Sequence, residues 1–248
     1  MNMELQELVE QLEATHTLPA GSEERFNGYA GMGLPFTSGH ILAMRHFTVT
    51  SIGPGYTSVW HRNPAGEWFF YTTAPARQSC PRYFGEIASD FVQTEITIKW
   101  EAPFRFRITV PVLPLDWEVS VGPTVATRLM NTIAGILPNA AWKNTAVLAI
   151  MGVFAGPMLG AGHIRMYGSV PNRQRFIANP RLIWAITDSR AVLAGEDLGL
   201  PGPVHPQAHL ADFWIPQRGL LAIGESYFET FDPARHSSLI TGAKKVSL

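Results

Sequence analysis

Strict alternation of apolar and polar residues dominates the middle of this chain. In FVQTEITIKW, Val92, Thr94, Ile96, Ile98 and Trp100 fall on one side, with Gln93, Glu95, Thr97 and Lys99 on the other. FRFRITV repeats the device, with Phe104, Phe106, Ile108 and Val110 opposite Arg105, Arg107 and Thr109. LDWEVSV places Trp117, Val119 and Val121 opposite Asp116, Glu118 and Ser120. Successive side chains of a strand point to opposite faces, so three such segments in a row predict an antiparallel sheet with one polar face. Upstream, HILAMRHFTVTS reads as an extended strand ending at Gly53-Pro54-Gly55. YTSVWHR and EWFFYTT then flank Asn63-Pro64-Ala65-Gly66, a hairpin signal. Downstream the pattern returns in HIRMYGSV, QRFIA, RLIWAITD, AVLAG, HLADFWI and LLAIGESYFETF, giving roughly eleven strand candidates in all.

Between the two β halves the period changes. Gly122-Pro123 closes the first half and Thr124 offers a helix cap. A helix is expected over about 125–136 and, past Pro138, a second over about 140–156. Residues 144–162 carry no charged side chain and no histidine, and Arg128 and Lys143 are the only charges from Thr124 onward to that point. A membrane-spanning helix wants about 20 apolar residues. This run is close to that length, but Pro157 interrupts it near its end. Gly152, Gly156 and Gly160 form a small-residue series that lets another backbone approach closely. A buried helix packed on the sheet is the favoured reading, with membrane-surface contact and a homodimer through the glycine face as alternatives.

Residues 3–14 predict a short helix, with Leu5, Leu8, Val9 and Leu12 on one face. The Gly-rich passage through Gly28, Gly31, Gly33 and Pro35 is expected to wrap the outside. The domain expectation is therefore an N-terminal helix and wrapping segment (1–36), one β-rich domain (37–232) with a helical insert at 124–158, and a loose C-terminal tail (233–248). The fold class is mainly β: an antiparallel barrel or two packed sheets, with the helices covering one opening or face. Lipocalin-like barrels and the cone-shaped barrels of small decarboxylases are comparisons of architecture only, since no family motif is present.

Composition narrows the function. Charged residues make up only 16%, against about 25% in ordinary domains, so the chain is core-rich. Net charge is −1 with Lys and Arg scattered, which argues against a nucleic-acid surface. The single cysteine, Cys80, excludes an intramolecular disulfide. The acidic, amphipathic start is unlike a secretory signal, so the expected location is the cytoplasm. Seven Trp, six Tyr and fourteen Phe suit the lining of a hydrophobic pocket for an organic ligand. There is no Gly-x-Ser-x-Gly elbow, P-loop, dinucleotide fingerprint, His-Glu-x-x-His or cysteine cluster. Neither a cofactor nor a metal is expected.

Candidate chemistry rests on scattered residues. His40 and His46 share one side of a predicted strand, Arg45 points the other way, and His61 sits beside Trp60 on the next strand. His61 and His40 are candidate acid–base groups, with Glu118 or Tyr71 as partners. If His40, His46 and His61 faced one interior they could instead bind a metal. Arg128 and Asn131 share a face of the first inserted helix. Arg128 is the candidate anchor for a substrate carboxylate, or else pairs with Asp116 or Glu118. His46, Trp60, Trp117, Arg165 and Tyr167 complete the expected pocket lining. The polar faces holding Glu95, Lys99, Arg105, Arg107, Asp116 and Glu118 suit cross-strand ion pairs; a desolvated Lys99 could instead form a Schiff base. Cys80 lacks a neighbouring base and reads as a small buried residue.

The expected function is binding of a small hydrophobic or carboxylate-bearing molecule in an apolar cavity, with cofactor-independent lyase, isomerase or cyclase chemistry. A non-catalytic lipid or isoprenoid carrier, and an interaction protein dimerising through Gly152, Gly156 and Gly160, are the alternatives.

Overall fold

The computed structural model describes residues 4–238. Helix α1 (Leu5–Thr15) precedes strands β1 (Glu24–Pro35), β2 (Ile41–Thr50), β3 (Tyr56–Arg62) and β4 (Trp68–Thr72). The one-turn helix α2 (Pro81–Phe84) leads to β5 (Ala88–Gln93), then β6 (Thr97–Ala102), β7 (Arg105–Val110) and β8 (Leu115–Gly122). Helices α3 (Val125–Ile136) and α4 (Thr145–Leu159) follow. Strands β9 (Tyr167–Ser169), β10 (Arg175–Leu193), β11 (Glu196–Asp197), β12 (His209–Leu210), β13 (Phe213–Trp214) and β14 (Leu220–Phe228) complete the order.

The main strands form one sheet in the order β5-β4-β3-β2-β1-β14-β10-β8-β7-β6. It is mainly β with a helical hairpin inserted, as the pattern predicts. The sheet is mixed rather than wholly antiparallel, because β4 and β5 run parallel. Strands β5 and β6 lie at opposite edges, yet only residues 94–96 separate them. Four Cα steps reach at most ~14 Å, so the chain draws the two edges together and curls the sheet into a half-barrel. The clean alternation from Val92 to Trp100 therefore belongs to two strands, not one.

The curl assigns the two faces. Val59 and Tyr71 from one end of the sheet join Ile98, Phe106, Ile108, Trp117 and Val119 from the other in one hydrophobic cluster. Residues so far apart in strand order meet only on the concave side. Leu5 and Val9 of α1, both fully buried, plug it. The convex side holds Phe26, Ala43, Phe47, Tyr56, Trp60 and Phe70, packed with Tyr83 and Phe84 of α2 and with Phe213. Further along, Ala155 and Leu159 of α4 and Met130 of α3 cover Ile183, Leu220 and Ala222.

Several boundaries differ from the sequence reading. Residues 24–35 do not wrap the outside: they are the central strand β1, between β2 and β14. Glycine is needed there, because a Cβ on Gly28 would lie 2.0 Å from the His46 carbonyl oxygen. QRFIA, RLIWAITD and part of AVLAG are one 19-residue strand, which pairs with β14 along its first half and β8 along its second. Pro180 is tolerated because the register shifts beside it. The tail is anchored as far as 238: His236 is buried, and the Ser237 amide donates to the Asn172 carbonyl at 3.1 Å. Residues 239–248 lie outside the described residues.

Both inserted helices are capped as their sequences require. The Thr124 hydroxyl accepts from the Thr127 amide at 3.1 Å. The Asn144 side chain accepts from Ala146 at 2.9 Å and Val147 at 3.3 Å. Gly160 ends α4 in the left-handed region. The face of α4 bearing Gly152 and Gly156 is not free for a second subunit, because residues 162–165 of the same chain occupy it. A Cβ on Gly156 would sit 2.1 Å from the Gly162 carbonyl oxygen. No helix is long and apolar enough to cross a membrane among the described residues. Because that contact is with backbone, Gly156→Ala is expected to destabilise the fold by about 2–3 kcal/mol with no change in oligomeric state. Urea denaturation and light scattering check the two halves of this statement.

Candidate active site around Arg45

Alternation along β2 sends Ala43, Arg45 and Phe47 to the convex side and Leu42 and Met44 to the concave one. Arg45 pairs in register with Ser58, and Trp60 lies two residues further along β3. The guanidinium carbon sits 3.6 Å from the centre of the Trp60 ring and 5.4 Å from that of Phe213. Arg45 is only 5% exposed, and its Nη1 and Nη2 have no hydrogen-bond partner. No carboxylate pairs with it among the described residues. Burial pulls its pKa down to about 10, opposed by Cys80 and Tyr56 nearby. It therefore remains a cation at neutral pH.

An isolated buried charge is among the most costly arrangements in a protein. The ring of Trp60 offsets only part of it, about 2 kcal/mol when desolvated. Asn179, on β10, is 1% exposed with both side-chain polar atoms unpartnered, and Trp60 Nε1 is unpartnered too. These residues line one cavity of about 70 Å³, together with Tyr56, Cys80, Phe213 and Glu225. The Cys80 sulfur lies 3.3 Å from the Tyr56 hydroxyl and 3.2 Å from that of Ser58. Burial pushes the Tyr56 hydroxyl well above its ordinary range, so it stays a proton-bearing group. Asn179 and Glu225 border the cavity through their backbone: they alternate with Ala178 and Pro180 and with Gly224 and Ser226, so their side chains leave on the other side of the sheet, where Glu225 accepts from Arg181 at 3.1 Å and from the Tyr227 hydroxyl at 2.9 Å. The site thus has a cation with hydroxyl and thiol protons, in largely apolar walls.

A second cavity of about 60 Å³ lies between α3, α4 and the sheet. It shares Met32, Ala178, Pro180 and Phe213 with the first, so those four residues form the partition. Its walls are otherwise mostly apolar, with Met130, Met151, Ala155 and Leu159 among them. Among the described residues no group of three or more His, Cys, Asp or Glu is arranged to hold a metal. Among the described residues no lysine lines either cavity.

Of the residues singled out in the sequence, Trp60 lines the first cavity, and Asn131 and Arg165 line the second. Asn131 also ties α3 to the sheet, donating to the Ile183 carbonyl at 3.0 Å and accepting its amide at 2.8 Å. Arg165 is held by Asp212. Tyr167 borders a separate groove beside α4.

The others are elsewhere. Glu118 belongs to a ladder around Arg107, which reaches Glu101 at 2.8 Å, Asp116 at 2.6 Å and Glu118 at 3.0 Å. Its strand presents that side to solvent, so the ion-pair alternative describes it and the acid–base assignment does not. Lys99 is exposed in the same layer. Trp117 is buried on the concave side and donates to Ser189 at 2.8 Å. Tyr71 packs against the same concave cluster. Arg128 is exposed on α3 rather than aimed at a ligand. His46 contacts Thr57 at 2.8 Å and Glu13 of α1 at 3.6 Å. His40 Nδ1 lies 2.8 Å from His61 Nε2, and His61 stacks on Phe69. None of these histidines lines either cavity. His46 lies on the side opposite the one that carries Arg45, as the strand period predicts.

What the sequence reading missed is Arg45 with Tyr56 and Phe213. One signal was present: an arginine on a strand whose same-side neighbours, Ala43 and Phe47, are apolar.

Fold and site together define a half-barrel protein with a desolvated cationic pocket on its convex face. No protein-family model matches the chain, and no curated protein matches it. Among solved structures it is similar to the acetoacetate decarboxylase of Legionella pneumophila subsp. pneumophila str. Philadelphia 1. That similarity covers 87% of this chain and 89% of the other, at 10% identity and a TM-score of 0.40. At that level the likeness transfers no residue role.

The histidine pair has a pH consequence. Burial, reinforced by His40, lowers the His61 pKa from 6.5 to about 4. A depressed folded value means the associated stability is complete above pH 6.5 and is lost as pH falls through about 4. The His61 ring is therefore expected to stay neutral at pH 5 by carbon-13 NMR. Wild-type protein should lose stability between pH 6.5 and 4 relative to His61→Gln, as read by urea melts across that range.

Proposed function

We propose that this protein binds a small organic acid in the convex-face cavity, with Arg45 holding the carboxylate and apolar walls holding the body. The observation that carries this reading is the guanidinium itself, buried with no counter-charge and with both terminal nitrogens unpartnered. A bidentate carboxylate satisfies both nitrogens and neutralises the charge in one step. Within this reading lyase- or isomerase-type chemistry is the catalytic version, with the Tyr56 hydroxyl and the Cys80 thiol as the proton-bearing groups on the same wall as Arg45.

A carrier is the second reading, supported by the closeness of the cavity's apolar walls. The two are separable without knowing the natural substrate. In D2O an enzyme exchanges deuterium into the position next to the carboxylate of a bound acid, and Tyr56→Phe slows exchange while retaining binding. A carrier shows binding with no exchange.

The test of the binding site uses Arg45→Met, which keeps length and removes charge. Calorimetry with butanoate and hexanoate is expected to show an affinity loss of about 30-fold, near 2 kcal/mol. The free variant is expected to melt at or above the wild-type temperature, because an unpaired buried charge has gone. Equal affinities in both proteins would remove Arg45 from the proposal. So would a strongly destabilised variant, which would mark Arg45 as a structural group.

A further inference from the structure

We infer that the occupant is a monocarboxylate bearing a single unbranched hydrocarbon chain, which passes from the Arg45 cavity into the space beneath α3 and α4. This rests on the reading of Arg45 as the carboxylate anchor and adds the class of ligand. The two cavities meet at a partition made of only four side chains, and one of them, Met32, is flexible. Neither space, at about 70 and 60 Å³, suits a rigid ring system that would have to cross the partition. A chain with rotatable bonds threads it.

The walls of the inner space are matched to such a chain. Met32, Met130, Met151 and Met166 line it, half of the eight methionines in the sequence. Unbranched thioether side chains fill irregular gaps and reshape around an apolar guest. The amide and the cation that line this space are already engaged, and the unpartnered Trp142 indole N–H is a neutral donor. Asn131 is bonded to Ile183 and Arg165 to Asp212. Neither is left to hold a second charge, so the ligand has one anionic end and one apolar end.

The experiment compares butanoate, hexanoate, octanoate and decanoate by calorimetry on the whole chain, alongside carbon-13 methyl spectra of methionine-labelled protein. Each added methylene is expected to raise affinity about fourfold. Decanoate, but not butanoate, should shift the methyl signals of Met130, Met151 and Met166. Ala155→Trp, which fills the inner space, should flatten the length dependence while leaving butanoate unchanged. The methyl spectra need no substitution, so the test stands even where Ala155→Trp fails to fold. Affinity independent of length, still methyl signals with decanoate, or a preference for cyclohexylacetate over octanoate overturns the chain assignment and leaves the Arg45 reading intact. Failure of wild-type protein to bind any of these acids overturns both.

Discussion

A guanidinium stripped of water and given no anion is the constraint around which this structure is arranged. Arg45 sits on β2, near the middle of the sheet, where every other convex neighbour is aromatic or small. Its position is imposed by strand period alone: Ala43 and Phe47 must face the convex core, so Arg45 does too. Trp60 and Phe213 shield it from solvent and give it π-faces, but rings do not supply the hydrogen bonds that five N–H groups need. On the reading proposed above, a bound carboxylate supplies partners for two of them.

The curl of the sheet decides which face is available for such a site. A three-residue crossing between edge strands pulls β5 and β6 together. Their inner side chains then meet, and α1 fills what remains. The concave side of this half-barrel is thereby filled by its own buried side chains. The convex face is different. It is covered by separate pieces: one turn of helix, a loop carrying Phe213, and the α3–α4 hairpin. Pieces that pack independently on a twisted sheet leave gaps at their seams, and both cavities lie at such seams. Gly152 and Gly156 draw α4 onto residues 162–165, so the greasy insert is a lid over the sheet along this face. Its opposite side still exposes Ile150, Val153 and Phe154.

How much of this could be read from the chain depends on whether the information is local. Strands β7 and β8 and the first inserted helix follow from period and capping residues and are where the pattern placed them, whereas the second helix begins at Thr145 rather than near 140 and runs past Pro157 to Leu159. The central strand β1 was hidden by its glycines, which look like a loop but here permit a close backbone approach to β2. The split at residues 94–96 was invisible, because alternation does not record which strand a segment pairs with. The site suffered most from non-local facts. Strand period set Arg45 apart from His46. Which group faced the cavity depended on the direction of curl, and no single strand encodes that. Glu118 and Arg128 looked chemically apt, yet one meets Arg107 and the other meets solvent.

The same geometry sets limits on the chemistry. A carboxylate bound to Arg45 has its negative charge drained toward a fixed cation, which favours pushing further electron density into it. That is the demand of proton removal from the adjacent carbon, and the Tyr56 hydroxyl, held protonated by burial on the same wall, is suited to return a proton rather than to take one. Loss of carbon dioxide makes the opposite demand, because the leaving carboxylate must shed its charge, and tight pairing with a guanidinium resists that. With Arg45 as anchor, isomerisation next to a retained carboxylate is thus better matched to this cavity than cleavage of that carboxylate. A lyase reaction here would have to break a different bond, one beyond the carbon next to that carboxylate.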